Sequence, residues 1–232
     1  MKKFYLFLAV GACALLLGSC KGFKSQTISV GDYKLTTSLS ESGDTLWTIK
    51  DAKYQEIFSI QSGTMPKLLD NAVFMVNPEG DWGTYYSLQG KNLGRLKVFR
   101  RIGEGIYTAI LEKEGKVLYF QKSEELIGVQ DYRLYNGYLG YQNRAGFTVV
   151  SVETGSSWTV PCQEGFIWVE LLSAKGGTEK PRVVVLEKRN VTVYTVDGEK
   201  VKTIPTSRWN KKIKGVNLFV FGKGQRCQIS DL

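Results

Sequence analysis

From Lys21 onward, no long stretch places apolar residues at the three-and-four spacing that gives a helix one buried face. In its place stand short runs rich in Val, Ile, Thr, Tyr, Phe and Trp, separated by glycines. β-Branched and aromatic side chains suit a pleated surface, and the glycines between them mark where the chain reverses. The pattern predicts an all-β body of many antiparallel strands.

Two of these runs resemble each other. FTVVSVETGSSWTVP (Phe147–Pro161) and VTVYTVDGEKVKTIP (Val191–Pro205) lie 44 positions apart. Thr148 matches Thr192, Val149 matches Val193, Val152 matches Val196, and Thr159-Val160-Pro161 matches Thr203-Ile204-Pro205. Three earlier segments carry a similar glycine: LTTSLSESGDTLWTI at Gly43, AVFMVNPEGDWGTYYSL at Gly80 and YTAILEKEGKVLYF at Gly115. With Gly155 and Gly198 these glycines step by 37, 35, 40 and 43 residues. An acidic residue precedes each: Glu41, Glu79, Glu114, Glu153 and Asp197. A hairpin tip needs a residue that accepts positive φ and a polar neighbour that bonds the loop backbone.

The step is near the period of a four-stranded propeller blade, and an apolar run follows most of the hairpins. The expectation is therefore a small β-propeller-like repeat of about five blades. A β-sandwich or two small β-domains is the alternative, because either has turns every 8 to 12 residues or so and shows an apparent period when every fourth turn is chosen.

Ser151-Val152-Glu153-Thr154-Gly155-Ser156-Ser157-Trp158 resembles the Asp-box of sialidases and related propellers, with Glu153 for the usual Asp and Ser157 for Thr. The resemblance implies a structural hairpin motif of Ser151, Glu153, Gly155 and Trp158 that marks a blade. It does not imply a catalytic site. The arginine triad and tyrosine nucleophile of sialidases have no assignable counterpart in this chain.

The chain begins MKKFYLFLAVGACALLLGSC: a basic pair, an uncharged apolar run and small residues before a cysteine. That is the layout of an export signal. Leu17-Gly18-Ser19-Cys20 resembles the lipobox of bacterial lipoproteins, which implies cleavage before Cys20 and lipidation of its thiol, with acyl chains of palmitate type. Several buried chains anchor far more firmly than one. The expected organisation is a signal peptide over 1–19, a lipidated anchor and tether over 20–26, and a single all-β domain with quasi-repeats over 27–232. The expected location is the bacterial envelope, at the outer membrane and facing the periplasm or the cell surface.

Cys162 and Cys227 remain in the mature body, either as a disulfide in an oxidising compartment or as two buried thiols. Lys2 and Lys3 supply two of the nine net positive charges, and the rest are spread along the chain. For a tethered protein such a balance points to anionic headgroups, lipopolysaccharide or acidic glycans rather than nucleic acid. The one dense patch, Arg208, Lys211, Lys212 and Lys214, reads as a solvated loop.

Tyr132, Tyr135, Tyr138 and Tyr141 flank Asn136-Gly137. Asn-Gly favours a two-residue type I′ turn, which pairs Tyr135 with Tyr138 and Tyr132 with Tyr141. Residues three apart on a strand face opposite ways, so the pairs lie on opposite sides of the sheet. One pair fills core, and the other is available to a glycan or a protein partner.

The chain has no histidine, which removes the usual general base and the His-based nucleophile arrangements. Neither cysteines at metal spacing nor a phosphate-cradling glycine loop is present. No catalytic residue, metal ligand or cofactor is assigned. The function expected is a non-catalytic binding or scaffolding module for a protein or glycan. The alternatives are a carbohydrate-active hydrolase with carboxylates paired in space and a structural envelope protein resting on anionic lipid or lipopolysaccharide.

Overall fold

The computed structural model describes residues 25–144, 146–160, 166–172, 180–187, 190–213, 216–221 and 226–228. The expected leader, Cys20 and Cys162 lie outside the described residues. Twenty-one strands and no helix occur among them, and their contacts divide into two compact units.

The first unit runs to Glu79 and takes in Thr84–Asn92. Strands β1 (Thr27–Val30), β2 (Tyr33–Leu39), β3 (Thr45–Lys50) and β4 (Glu56–Gln61) form an antiparallel meander in chain order. Strands β5 (Lys67–Leu69), β6 (Val73–Glu79) and β7 (Trp82–Ser87) follow as neighbours. Alternation in β2 and β3 puts Leu35, Trp47 and Ile49 on one face, where they meet Phe74 and Val76 of β6. The rings of Tyr33 and Phe58 approach Phe74 edge-on, with centroids at 5.2 and 6.0 Å.

The second unit takes in Gly80–Gly83 and everything from Leu93. It holds β8 (Asn92–Gly103), β9 (Ile106–Leu111), β10 (Gly115–Phe120) and β11 (Glu125–Gly128) as one run of neighbours. The next meander is β12 (Asp131–Tyr135), β13 (Tyr138–Asn143), β14 (Gly146–Ser151) and β15 (Ser157–Val160). After it come β16 (Phe166–Leu172), β17 (Arg182–Glu187), β18 (Asn190–Thr195) and β19 (Lys200–Ile213). β19 then continues into a ladder with β20 (Val216–Phe221), which pairs with β21 (Arg226–Gln228).

The inner strands of the middle meander, β13 and β14, are buried on both faces. Leu139, Tyr141 and Val150 face Ile106, Leu118 and Val129, while Phe147, Val149 and Val160 face Val169, Leu171, Val183 and Val185. That is why Phe147–Val150 shows no polar alternation: both sides of β14 point into apolar surroundings. Within each unit, successive antiparallel meanders pack face to face, as propeller blades do. The fold is all-β and propeller-like in this sense.

All five tip glycines have positive φ: 85° at Gly43, 59° at Gly80, 84° at Gly115, 73° at Gly155 and 90° at Gly198. They do not all mark the same hairpin. Gly43 joins the two middle strands of its sheet and Gly115 the middle pair of β8–β11, whereas Gly155 and Gly198 join the third and fourth strands of theirs. The uneven steps therefore mix two classes of turn. Gly155 and Gly198 occupy the same place in consecutive meanders.

One loop design recurs. In Ser40–Asp44, Asp51–Gln55, Ser87–Lys91 and Thr195–Glu199 the first residue exchanges backbone bonds with the fourth and fifth, and its side-chain oxygen accepts from the fifth N–H. The fourth residue has positive φ in each, at Gly43, Tyr54, Gly90 (87°) and Gly198. Tyr54, at 65°, is the exception to glycine and is 62% exposed. A bulky residue there costs about 1–2 kcal/mol of backbone strain.

Candidate functional site

The tyrosine hairpin has the register its turn demands. Asn136 and Gly137 both have positive φ, 45° and 77°, as a type I′ turn requires. Tyr135 pairs with Tyr138 and Tyr132 with Tyr141. Tyr141 is buried in the core facing β9 and β10, with Tyr132 packed against the same cluster. Burial pushes the Tyr141 phenol above its ordinary pKa, partly offset by its hydrogen bond with Thr148. On the other face Tyr138 is half-buried against the following core and Tyr135 is exposed.

β12 stands at one end of its sheet's strand order, and four of its five residues are exposed. Arg133 Nη1 donates to Asp131 Oδ2 at 2.8 Å and to the Tyr132 carbonyl at 3.0 Å. Asp131 Oδ1 accepts the Tyr132 N–H at 2.9 Å and has Lys116 Nζ at 3.8 Å. Lys116 also lies over the Tyr132 ring, 5.6 Å from its centroid. Such exposed ion pairs contribute about 0–1 kcal/mol each to stability, so their chief effect is to hold side chains in place.

Asp131, Tyr132, Arg133, Gly140, Gln142, Phe147 and Val169 surround a hollow of about 120 Å³. Gly140 is required beneath it. A Cβ there would sit 2.7 Å from Phe147 Cζ and 3.0 Å from Leu171 Cβ. Nearby, Lys180 Nζ lies 5.9 Å from the Tyr138 ring centroid and 3.5 Å from Asp197 Oδ2. The hydrogen bond to Tyr138, then the Asp197 charge, raises the Lys180 pKa.

The Asp-box-like hairpin joins β14 to β15. Its turn bonds run through hydroxyls: Ser151 Oγ accepts from the Thr154 N–H, and Thr154 Oγ1 meets both the Ser156 hydroxyl and N–H. Glu153 is exposed on the loop. Trp158 packs against the core facing β16–β18, its ring 5.2 Å from Tyr194. It also covers the second hairpin's turn, since a Cβ on Gly198 would fall 2.9 Å from three of its ring atoms. Sequence spacing related the two hairpins without showing that one side chain of the first rests on the turn of the second.

Cys227 belongs to β21, while its suggested partner Cys162 lies outside the described residues, as does the lipidation candidate Cys20. Arg208, Lys211 and Lys212, expected in a loop, instead belong to β19, which extends because the apolar run Val216–Phe221 pairs with it. Among the described residues no group of three or more Cys, Asp or Glu is placed to hold a metal.

A second recess, in the first unit, is larger and was not signalled by the sequence. Gly43, Asp44, Thr45, Gln61, Ser62, Gly63 and Asn77 border about 570 Å³ of open space. Its rim bonds to itself: Gln61 Nε2 donates to Asp44 Oδ2, Ser62 Oγ to Asn77 Oδ1, and Trp47 Nε1 to the Ser62 carbonyl. Those bonds join β3, β4 and β6. They account for the polar residues there by structure alone.

No family model matches the chain, and no curated protein matches it. Solved structures similar to it include Hsv2p of Kluyveromyces lactis, at 12% identity and TM-score 0.33, covering 86% of this chain and 71% of that one. The WD40 domain of Toxoplasma gondii coronin is similar at 9% identity and TM-score 0.33, covering 91% and 71%. The WD40 propeller domain of Doa1 is similar at 10% identity and TM-score 0.30, covering 87% and 76%. Likeness at this level carries nothing about activity or partner. The propeller-like description rests on the stacked meanders themselves.

Proposed function

We propose that the chain is a lipid-anchored envelope module that holds a protein or glycan partner without transforming it, with the β12–β13 hairpin as its contact element. The observation that carries this reading is the exposed strip of β12, where Asp131 and Arg133 adjoin Leu134 and Tyr135, 38% and 36% exposed. Aromatic and arginine side chains at a rigid strand position are what recognition surfaces favour, because little freedom is lost on binding. The hairpin is held from below by Leu139 and Tyr141, both buried. Anchoring rests on the order of basic, apolar and small residues before Cys20.

The carboxylate-pair hydrolase needs one acid held protonated by burial or by a like-charged neighbour. Every carboxylate whose burial the structure describes is exposed or only partly buried. The available acids are solvated, and the best-placed one, Asp131, accepts from Arg133.

The test is affinity capture of the full chain from its native envelope, comparing wild type with a Leu134→Ser, Tyr135→Ser double variant. The reading predicts a partner, protein or glycan, retained by wild type and lost from the variant at unchanged melting temperature. Identical captured sets would refute it. In parallel, a Cys20→Ser variant should lose incorporated fatty acid and leave the membrane fraction, and continued membrane association would overturn the anchor.

A further inference from the structure

Strand β1 fixes where the chain enters the first unit. Thr27 pairs with Thr36 and Val30 with Tyr33, so β1 comes in from the end of the sheet at which β2 stops. The entry point is pinned one residue earlier. The Thr37 N–H donates to the Gln26 carbonyl at 2.9 Å and the Gln26 N–H to Thr37 Oγ1 at 3.0 Å, with Thr37 buried. Cys20 stands six residues before Gln26. Six residues reach about 20 Å at full extension, and acyl chains on Cys20 would hold Gln26 within that distance of the headgroups.

The register decides what else lies at that end. Leu39 pairs with Thr45, whose carbonyl accepts the Ser62 N–H, so the Ser40–Asp44 loop and the connection 62–66 share it. Leu39 is two residues past the level of Gln26, about 7 Å. At the opposite end Lys34 pairs with Lys50, about 17 Å from the Leu39 row, and the Asp51–Gln55 loop lies beyond. Turning that end to a membrane would put roughly 10 Å of sheet and a loop between Gln26 and the surface, on the side away from the one where β1 enters. Tether length and strand direction therefore both turn the Leu39 end towards the lipid.

The chemistry of that end suits the place. Leu39 is 49% exposed and Met65 41% exposed. The loop between β2 and β3 carries two carboxylates, Glu41 and Asp44, and no cation. An anionic headgroup layer repels such a loop, whereas the outermost charge of phosphatidylethanolamine is an ammonium group, which attracts it.

We infer that this end of the first unit lies on a zwitterionic lipid surface, with Leu39 and Met65 set into the headgroup layer and Tyr54 held clear of it. The inference rests on the anchor at Cys20 and gives that anchor an orientation.

The test is photocrosslinking of the full chain, carrying its lipid and reconstituted in vesicles of phosphatidylethanolamine and phosphatidylcholine. Leu39, Met65 or Tyr54 is replaced, one at a time, by benzoylphenylalanine. All three side chains are exposed, so each labelled chain should melt as wild type does. Lipid adducts at 39 and at 65 should exceed those at 54 about tenfold, because an interfacial side chain enters the outer few ångströms of the bilayer. Equal yields at the three positions, or a larger yield at 54, overturn the inference. The yields at 39 and 65 should hold as salt rises, and a steep fall would mark an ionic contact made elsewhere on the body and overturn it too. The mass of the chain separates this result from the anchor reading. Without fatty acid on Cys20 both fall, whereas fatty acid on Cys20 with no adduct at 39 or 65 removes the orientation and leaves the anchor standing.

Discussion

The hairpins at 146–160 and 190–205 began as one sequence pattern, and they are one structure with a difference of a single residue. Thr148 pairs with Thr159 and Thr192 with Thr203, and in each the two hydroxyls bond, at 2.9 and 3.3 Å. The first closes its turn over Ser151–Ser156, the second over Thr195–Glu199. The shorter loop leaves one residue over, which the second hairpin absorbs in a register shift at Val193/Tyr194, opposite Val201. Position, not composition, then separates their roles. Trp158 projects from the first onto the Gly198 turn of the second, and Lys202 holds the corresponding place in the second.

The largest effect expected from that asymmetry is at the two glycines. Gly198→Val forces a side chain into the Trp158 ring at a φ of 90°, and should cost about 3 kcal/mol in urea unfolding. Gly155→Val meets nothing within 4 Å and carries only the strain of its φ of 73°, about 1–2 kcal/mol. Equal losses would break the comparison.

Next in size is Trp158→Ala, expected to cost about 2–3 kcal/mol because the ring covers a neighbouring turn and stacks near Tyr194. The equivalent Lys202→Ala should fall within about 0.5 kcal/mol of wild type. Thr192→Val should cost about 1 kcal/mol, since it removes one buried hydroxyl from its pairing with Thr203, and Thr148→Val about 2 kcal/mol, since its hydroxyl bonds both Thr159 and Tyr141. Equal losses would mean that the Tyr141 bond adds nothing to the first hairpin.

Tyr54→Gly tests the loop rule with the opposite sign. It should raise stability by about 1 kcal/mol, because the other three loops of this design place glycine at that position. The smallest effect is in pH. Burial, then the Glu187 charge, raises the Tyr194 pKa, and burial pushes Tyr119 up to about 12. A neutral phenol favoured by the fold stabilises fully below pH 10 or so and loses that contribution as pH climbs through the raised value. Unfolding free energy should therefore be flat to about pH 10 and fall from there towards about 12. A flat profile across that window would contradict the burial of these phenols.

What the sequence displayed was local. Glycine at the five tips announced positive φ, and Asn136-Gly137 fixed the tyrosine register, because both are decided within a few residues. What it concealed was which hairpin each glycine belongs to, since a turn residue does not record its strand's place in the sheet. Gly43 and Gly155 look alike and sit in different hairpins. The acids before the glycines drew notice, yet the loop-closing side chains are Ser40, Asp51, Ser87, Ser151 and Thr195. Phe147 beneath Gly140, with Val169 from another strand, could not be read from spacing. Contacts between sheets depend on chain separations that no local pattern encodes.

The central claim is that the β12–β13 hairpin is where this protein meets its partner. Hydrogen exchange on the full chain, with and without the partner recovered from the envelope, tests it most directly. The account predicts added protection confined to residues 131–142. Protection centred instead on Gly43–Asn77, with the hairpin unchanged, would contradict it.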